Sequence, residues 1–162
     1  MDRSQWIEGV GALVLLGLLT YGTLDRVGAA IRTQERERVT TAAVSLAQGL
    51  LEECSTRAFD ERTRSGWCAQ ASALTPLHGL GPEAGEVYPD QFDDLDDFHG
   101  FLRLDSLGGI PYRIVASVYY ADPQDLERPA LEATFFKTLE VAVHSPHLEA
   151  PIRLRRTYAY YR

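Results

Sequence analysis

The sequence predicts an α+β protein in which a long N-terminal α-helix packs on a C-terminal antiparallel β-sheet. Two observations predict this fold class. The N-terminal part carries an apolar run and then an amphipathic stripe with helical spacing, whereas the C-terminal part alternates apolar and polar residues as strands do. A helix stripe and one face of an antiparallel sheet each need a cover, and each can cover the other.

The apolar run, residues 6–24, contains a single formal charge, Glu8. As a helix it would extend roughly 28 Å, which is close to the thickness of the hydrocarbon core of a membrane. We therefore predict that residues 1–31 form a hydrophobic helix of membrane-spanning length. A cleaved secretory signal is the competing interpretation, because it also has a short apolar core.

Glycines recur in this helix at a spacing that suits contact with other helices. Gly11 and Gly22 lie about three turns apart and share a face, and the same holds for Gly17 and Gly28. Small residues let helix backbones approach closely. The alternative is a solitary helix that tolerates glycine.

A polar piece, residues 32–38, follows and is expected to be solvated on all sides, either as a helical neck or as a short flexible break. Apolar residues then return at steps of three and four, which is the pattern of an amphipathic helix. This stripe consists of Val39, Ala43, Leu46, Leu50 and Cys54. We assign residues 32–162 to one globular domain with this helix, a loop region and the sheet.

Three segments near the C-terminus have the alternation and the β-branched and aromatic content of strands. They are residues 110–120, 135–145 and 152–161. Residues 60–110 and the connector 121–134 are rich in glycine, proline and acidic residues, which predicts loops.

The two cysteines, Cys54 and Cys68, form the simplest possible disulfide framework for an exported domain. In the chain-entropy model, closing a loop of this size stabilises a fold by ~3 kcal/mol. The alternative is a pair of reduced, buried thiols. A metal site at the cysteines is not indicated, because neither has a histidine at ligand spacing.

Four aspartates, Asp93, Asp94, Asp96 and Asp97, cluster in the loop region. Clustered carboxylates are hard oxygen ligands of the kind that calcium takes, although this spacing is not that of an EF-hand. The alternative is a solvated acidic turn that is anchored in the core by the neighbouring Phe92, Phe98 and Phe101. Apart from calcium at this place, the sequence indicates no cofactor.

The chain is acidic, with a formal net charge of -7 at pH 7, which argues against nucleic acid as a partner. The sequence contains no recognisable arrangement of a nucleophile with its base, and no glycine-rich phosphate loop precedes a helix. We therefore predict that the protein is not an enzyme.

The layout resembles that of type IV pilins and pseudopilins, especially the minor subunits of pili and of type II secretion systems. Ile7 and Glu8 head an apolar helix, as a hydrophobic run with one glutamate does in that family. The segment AAVSLAQGLLEE, residues 42–53, is similar to the ALAQSLLEE segment of minor pilins. The ending KTLEVAVHSPHLEAPIRLRRTYAYYR resembles the closing strands of the same proteins.

This resemblance implies a structural subunit of an extracellular or periplasm-spanning filament, with other copies and other pilin-like subunits as its partners. It implies a single pass through the inner membrane before assembly, and a place at the cell surface or in the periplasm afterwards. In the family the glutamate neutralises the terminal amine of a neighbouring subunit, a role that falls to Glu8. We expect assembly to depend on Glu8, Gly11, Gly17 and Gly22.

The expected processing site is atypical or absent, because Arg3 and Ser4 stand where the family has glycine and phenylalanine on either side of the cut. The alternative function is a single-pass, membrane-anchored extracytoplasmic domain that binds a ligand and does not polymerise.

Overall fold

A computed structural model describes the backbone of residues 3–161, and the side chains of residues 10–18, 20–21, 30 and 33–161. The chain divides into two compact units, Met1–Arg38 and Val39–Arg162. Helical backbone, α1, covers Arg3–Ser55. The second unit holds the remaining secondary structure and the hydrophobic core.

The predicted fold class is wrong in its N-terminal part. The helix and the antiparallel sheet make the protein α+β, but no long N-terminal helix packs on that sheet as one element. The helical segments whose side chains the structure describes are a short apolar piece, residues 10–18, and a longer stretch, residues 33–55. Residues 33–38 are all exposed and carry no apolar side chain, and Val39 is the first buried residue of the helix over residues 33–55.

The predicted membrane anchor is also wrong. Among the residues that the structure describes, no helix is both long enough and apolar enough to cross a membrane. The expected single-pass location in the inner membrane is therefore wrong, and so is the membrane anchor that the alternative function required.

The amphipathic stripe of α1 is confirmed. Val39, Ala43, Leu50 and Cys54 are buried against the sheet, and Leu46 is half-buried at the edge of the same face. Ala47 and Leu51 widen the face, since they too are buried. The polar piece before it is helical and exposed over residues 33–38, which agrees with the helical form of the predicted neck.

The sheet has five antiparallel strands in the order β1-β2-β4-β5, with β3 paired to β2. They are β1 Leu102–Leu107, β2 Ile110–Asp122, β3 Asp125–Pro129, β4 Phe136–His144 and β5 Ile152–Ala159. The predicted strands are β2, β4 and β5. The short strands β1 and β3 lie in segments that were predicted to be loops.

β1 and β2 form a hairpin around Gly108 and Gly109, whose φ angles of 62° and 81° suit a tight two-residue turn. Such turns need glycine because other residues rarely adopt a positive φ at both positions. This Gly-Gly pair between Leu107 and Ile110 is the hairpin signal that could have revealed β1 in the sequence.

The core lies between α1, the inner sheet face and an aromatic cluster. Alternate residues of β2 point inward, and Val118 pairs with Leu139 of β4 in the same layer. Phe98 meets Phe92 and Phe101 edge-on, with ring centroids 5.2 and 5.8 Å away. All three rings are buried, which confirms that they anchor the acidic loop in the core.

The predicted disulfide is not formed in the structure, where Cys54 and Cys68 are both free thiols. Cys54 is buried in the face of α1 that packs on the sheet. Cys68 is half-buried, and its backbone N–H donates to the hydroxyl of Tyr160 at 3.2 Å.

Cys54 is expected to resist alkylation in the native protein. Burial, and secondarily the charge of Glu53, raises the pKa of its thiol to about 12, so that little reactive thiolate exists at neutral pH. Iodoacetamide followed by peptide mass spectrometry should label Cys68 first, and Cys54 only after unfolding. Finding the two peptides joined in unreduced material would instead establish the disulfide predicted from the sequence.

Candidate functional site

A fully buried cluster of charges surrounds Lys137, the one lysine in the sequence. Its ammonium donates to Asp60 Oδ2 at 2.8 Å and to the carbonyl oxygen of Phe59 at 2.9 Å, and it also contacts Asp96 Oδ1. The rings of Phe59 and Tyr120 lie 4.8 and 5.1 Å from the same nitrogen. The three donors of the ammonium are thus matched by three acceptors in a site without solvent access.

Asp60 is held in place from several sides. It is the N-cap of the short helix α2 (Glu61–Arg64), where it accepts from the backbone of Arg62 at 3.0 Å. Thr75 donates to it through its backbone N–H at 3.0 Å and its hydroxyl at 3.2 Å, and the Tyr120 hydroxyl lies 3.1 Å away. Burial acts to raise the pKa of Asp60, but the charge and hydrogen bond of Lys137, with the backbone donors, hold it below its usual value.

The aspartates of the acidic loop are not a solvated turn, since Asp94, Asp96 and Asp97 are completely buried. The loop is fixed by a parallel bridge between Ala58 and Asp94. Within it, Asp97 Oδ2 accepts from the backbone N–H groups of Asp93 and Asp94 at 2.9 and 3.0 Å. Each carboxylate therefore serves a different partner, and Asp96 faces Lys137 rather than a shared cation position.

Asp93 differs from its neighbours because it is only half-buried. It pairs with Arg64 at 2.6 Å, and Arg64 also bonds Glu61 at 2.8 Å. This ion pair ties the acidic loop to helix α2 at the surface.

Within the part of the chain that the structure describes, the carboxylates that could hold a metal together are Glu83, Glu86 and Asp97, whose candidate oxygens lie within 4.8 Å of one another. Among the described residues, Asp97 Oδ1 and Glu83 Oε2 are buried and have no hydrogen-bond partner. An all-oxygen set of this kind suits a hard cation such as calcium. Calcium binding stays a prediction. Of the four aspartates that the sequence suggested as ligands, Asp97 alone belongs to this set of three carboxylates.

Glu83 is expected to make stability depend on pH. Burial, with hydrogen bonds to Asp97 and Glu86, raises its pKa from 4.5 to about 8. Between these values the folded state binds more protons than the unfolded state, so the free energy of unfolding falls as the pH rises. The melting temperature should therefore decrease from pH 5 to pH 8, and Glu83→Gln should make that decrease smaller.

Glu132→Gln is the matched control for that experiment, since Glu132 is exposed. A wild-type melting temperature that does not change between these pH values would contradict the prediction.

Sequence reasoning missed Lys137 and Asp60 as members of a site, although part of the signal was present. Lys137, Leu139, Val141 and Val143 fall on alternate positions of β4, and all four are buried on the same face. A lysine at an inward position of a strand predicts a buried charge that needs acidic partners. The identity of those partners required the tertiary structure.

The predicted assembly residues lie in the first unit. Gly11 and Gly17 belong to the apolar helical piece, and a Cβ built at either would meet no atom within 4 Å other than its chain neighbours and the adjacent backbone of its own helix. Glu8 and Gly22 lie outside the residues whose side chains are described. The apolar side chains around the two glycines are 53–69% exposed, namely Val10, Leu13, Val14, Leu15, Leu16 and Leu18.

Comparison with known proteins does not assign this chain to a family: no family model, no curated protein and no solved structure matches it.

Proposed function

We propose that the protein is a structural subunit that assembles with copies of itself into a filament through its N-terminal apolar helix. The observation that carries this proposal is the exposed apolar piece, residues 10–18. Residues 13–16 are consecutive, and at about 100° per residue they point to every side of a helix. Such a helix requires cover around its whole circumference.

The same helix in other copies of the chain can supply this cover, because it carries the same apolar side chains. A bundle of identical helices surrounds each member with apolar side chains, whereas a flat protein surface would cover one side only. The open surfaces at Gly11 and Gly17 allow neighbouring backbones to approach closely. The second unit has its own core, so its folding does not require the apolar helix to be in any particular assembly.

Substitution within the apolar piece tests the proposal. Leu15→Glu places a charge in the bundle, and Gly17→Leu fills the surface where backbones would meet. Both variants are expected to abolish assembly of the full chain, observed by electron microscopy and sedimentation, without changing the melting temperature of the second unit.

Leu131→Glu is the control, because Leu131 is 93% exposed in the second unit and lies far along the chain from the helix. It should assemble as the wild type does. A wild-type chain that remains monomeric at all concentrations, or a Leu15→Glu chain that assembles normally, would contradict the proposal.

A further inference from the structure

We infer that Lys137 and Asp96 react to form an intramolecular isopeptide bond, with Asp60 as the catalytic carboxylate that carries the protons. The reacting pair lies in the core, where the side chains of Lys137, Asp96 and Asp60 have no solvent-exposed area. This inference concerns a covalent modification of the second unit and does not depend on filament assembly.

The fold places the two reacting groups in direct contact. Lys137 projects inward from β4, whereas Asp96 begins the 3-10 turn Asp96–Phe98, 41 positions earlier in the chain. The lysine nitrogen touches Asp96 Oδ1, so the carboxyl carbon lies one bond beyond the contact atom. Fixed contact of this kind can be equivalent to an effective concentration of about 10⁵–10⁸ M.

The two carboxylates beside Lys137 have different surroundings, which assigns them different roles. Asp60 accepts hydrogen bonds on both oxygens, and its pKa lies below its usual value, so it is ionised and can accept a proton. Asp96 Oδ2 has no hydrogen-bond partner among the described residues. Asp96 contacts Lys137 through Oδ1, and its unpartnered Oδ2 can carry a proton and leave, so Asp96 is the electrophile.

The reaction balances without any further reagent. Lys137 passes a proton to Asp60 and becomes a neutral amine, whose Nζ lone pair attacks the carboxyl carbon of protonated Asp96. The new Nζ–Cγ bond forms, and the bond from Cγ to the protonated hydroxyl oxygen breaks. Asp60 takes a second proton from nitrogen as it delivers the first to the leaving oxygen, so that one water leaves and one amide N–H remains.

The surroundings favour the neutral product. A buried ion pair bears a desolvation penalty of several kcal/mol per ion, even when its geometry is good. Condensation replaces two charges by an amide, and the water that leaves gains freedom in bulk solvent. The Phe59 and Tyr120 rings keep other water away from the reacting atoms. The Tyr120 hydroxyl, which donates to Asp60 or to the Thr75 carbonyl at 2.7 Å, is a positioning group.

Intact mass spectrometry of the purified full chain under denaturing conditions is the primary test. The expected result is a mass lower than that of the sequence by one water. A second readout exploits the fact that Lys137 is the one lysine: a lysine-specific protease should cut an unbonded denatured chain once and leave the bonded chain whole. Digestion with other proteases should yield a branched peptide joining the segments around residues 96 and 137.

Substitutions separate this bond from dehydration elsewhere. Lys137→Arg and Asp96→Ala should restore the full mass, and the Asp96→Ala chain should be cut at Lys137 even if it folds poorly. Asp96→Asn should lose ammonia instead of water and reach the same final mass as the bonded wild type. Asp60→Asn keeps the shape of the side chain but cannot accept the proton, so it should leave the chain unbonded.

A wild-type chain of full mass that is cut once at Lys137 would overturn the inference and leave the site as an ion pair only. An Asp60→Asn chain that loses water as fast as the wild type would overturn the role assigned to Asp60.

Discussion

Asp60→Ala is expected to lower the free energy of unfolding by about 3–5 kcal/mol, which is the usual cost of removing one partner of a buried ion pair. The change leaves the Lys137 ammonium with one carboxylate fewer and removes the acceptor of Thr75 and Tyr120. It also removes the N-cap of α2. In a chain whose Lys137 is bonded to Asp96 the ammonium is absent, and the loss then comes from the N-cap, from the Thr75 and Tyr120 hydrogen bonds and from the missing bond.

Urea denaturation followed by circular dichroism gives this free energy directly. The matched control is Asp125→Ala, because Asp125 and Arg128 form an exposed ion pair at 3.8 Å. Exposed pairs contribute about 0.2–1 kcal/mol, so the control should be close to wild type. Equal effects of the two substitutions would show that the buried cluster does not stabilise the fold.

Asp60 also makes the stability of the protein depend on pH in acid. The folded-state pKa of Asp60 lies below its ordinary value of 3.8, so its contribution to stability is complete above that value. The contribution is lost as the pH falls through the folded-state pKa. The acid limb of the wild-type stability curve should therefore be steeper than that of Asp60→Ala.

Leu50→Ala is expected to be the second large effect, with a loss of about 2–5 kcal/mol, the range for leucine truncations in a packed core. Leu50 is 1% exposed in the middle of the α1 stripe and belongs to the core between helix and sheet. Truncation leaves a cavity that neither the helix nor the strands can close without moving.

Leu104→Ala is the matched control, because it makes the same chemical change at a residue of β1 that is 74% exposed. We expect it to stay within about 0.5 kcal/mol of wild type. A comparable loss at both leucines would show that the helix does not contribute its stripe to the core. Thermal melts monitored by circular dichroism measure both variants under the same conditions.

The sequence was sufficient for the elements that depend on periodicity. The stripe from Val39 to Cys54 predicted which face of the helix is buried, because the period of an α-helix fixes which side chains share a face. Alternation likewise identified β2, β4 and β5, and the alternate residues Leu139, Val141 and Val143 of β4 are buried on one face. These patterns are local, so they need no knowledge of what lies opposite.

Local patterns failed where the environment of a residue is made by distant parts of the chain. The apolar N-terminal run predicted a membrane span from its composition and length. Among the described residues, however, no helix is long and apolar enough to cross a membrane. The short strand β3 has five exposed residues and no alternation, and it exists because β2 offers a free edge at Ala121 and Asp122. No local signal could predict it.

The acidic loop shows the difference most clearly. By itself the sequence determined that carboxylates cluster around residues 93–97 and that the chain contains one lysine, Lys137. Only the tertiary structure decided that Asp96 contacts Lys137 and that Asp60 joins them from the N-cap position of α2. It also decided that Asp97 lies beside Glu83 and Glu86 instead. The physical reason is that burial of a charge is governed by partners far away in sequence, whereas periodicity reports only which side of an element is apolar.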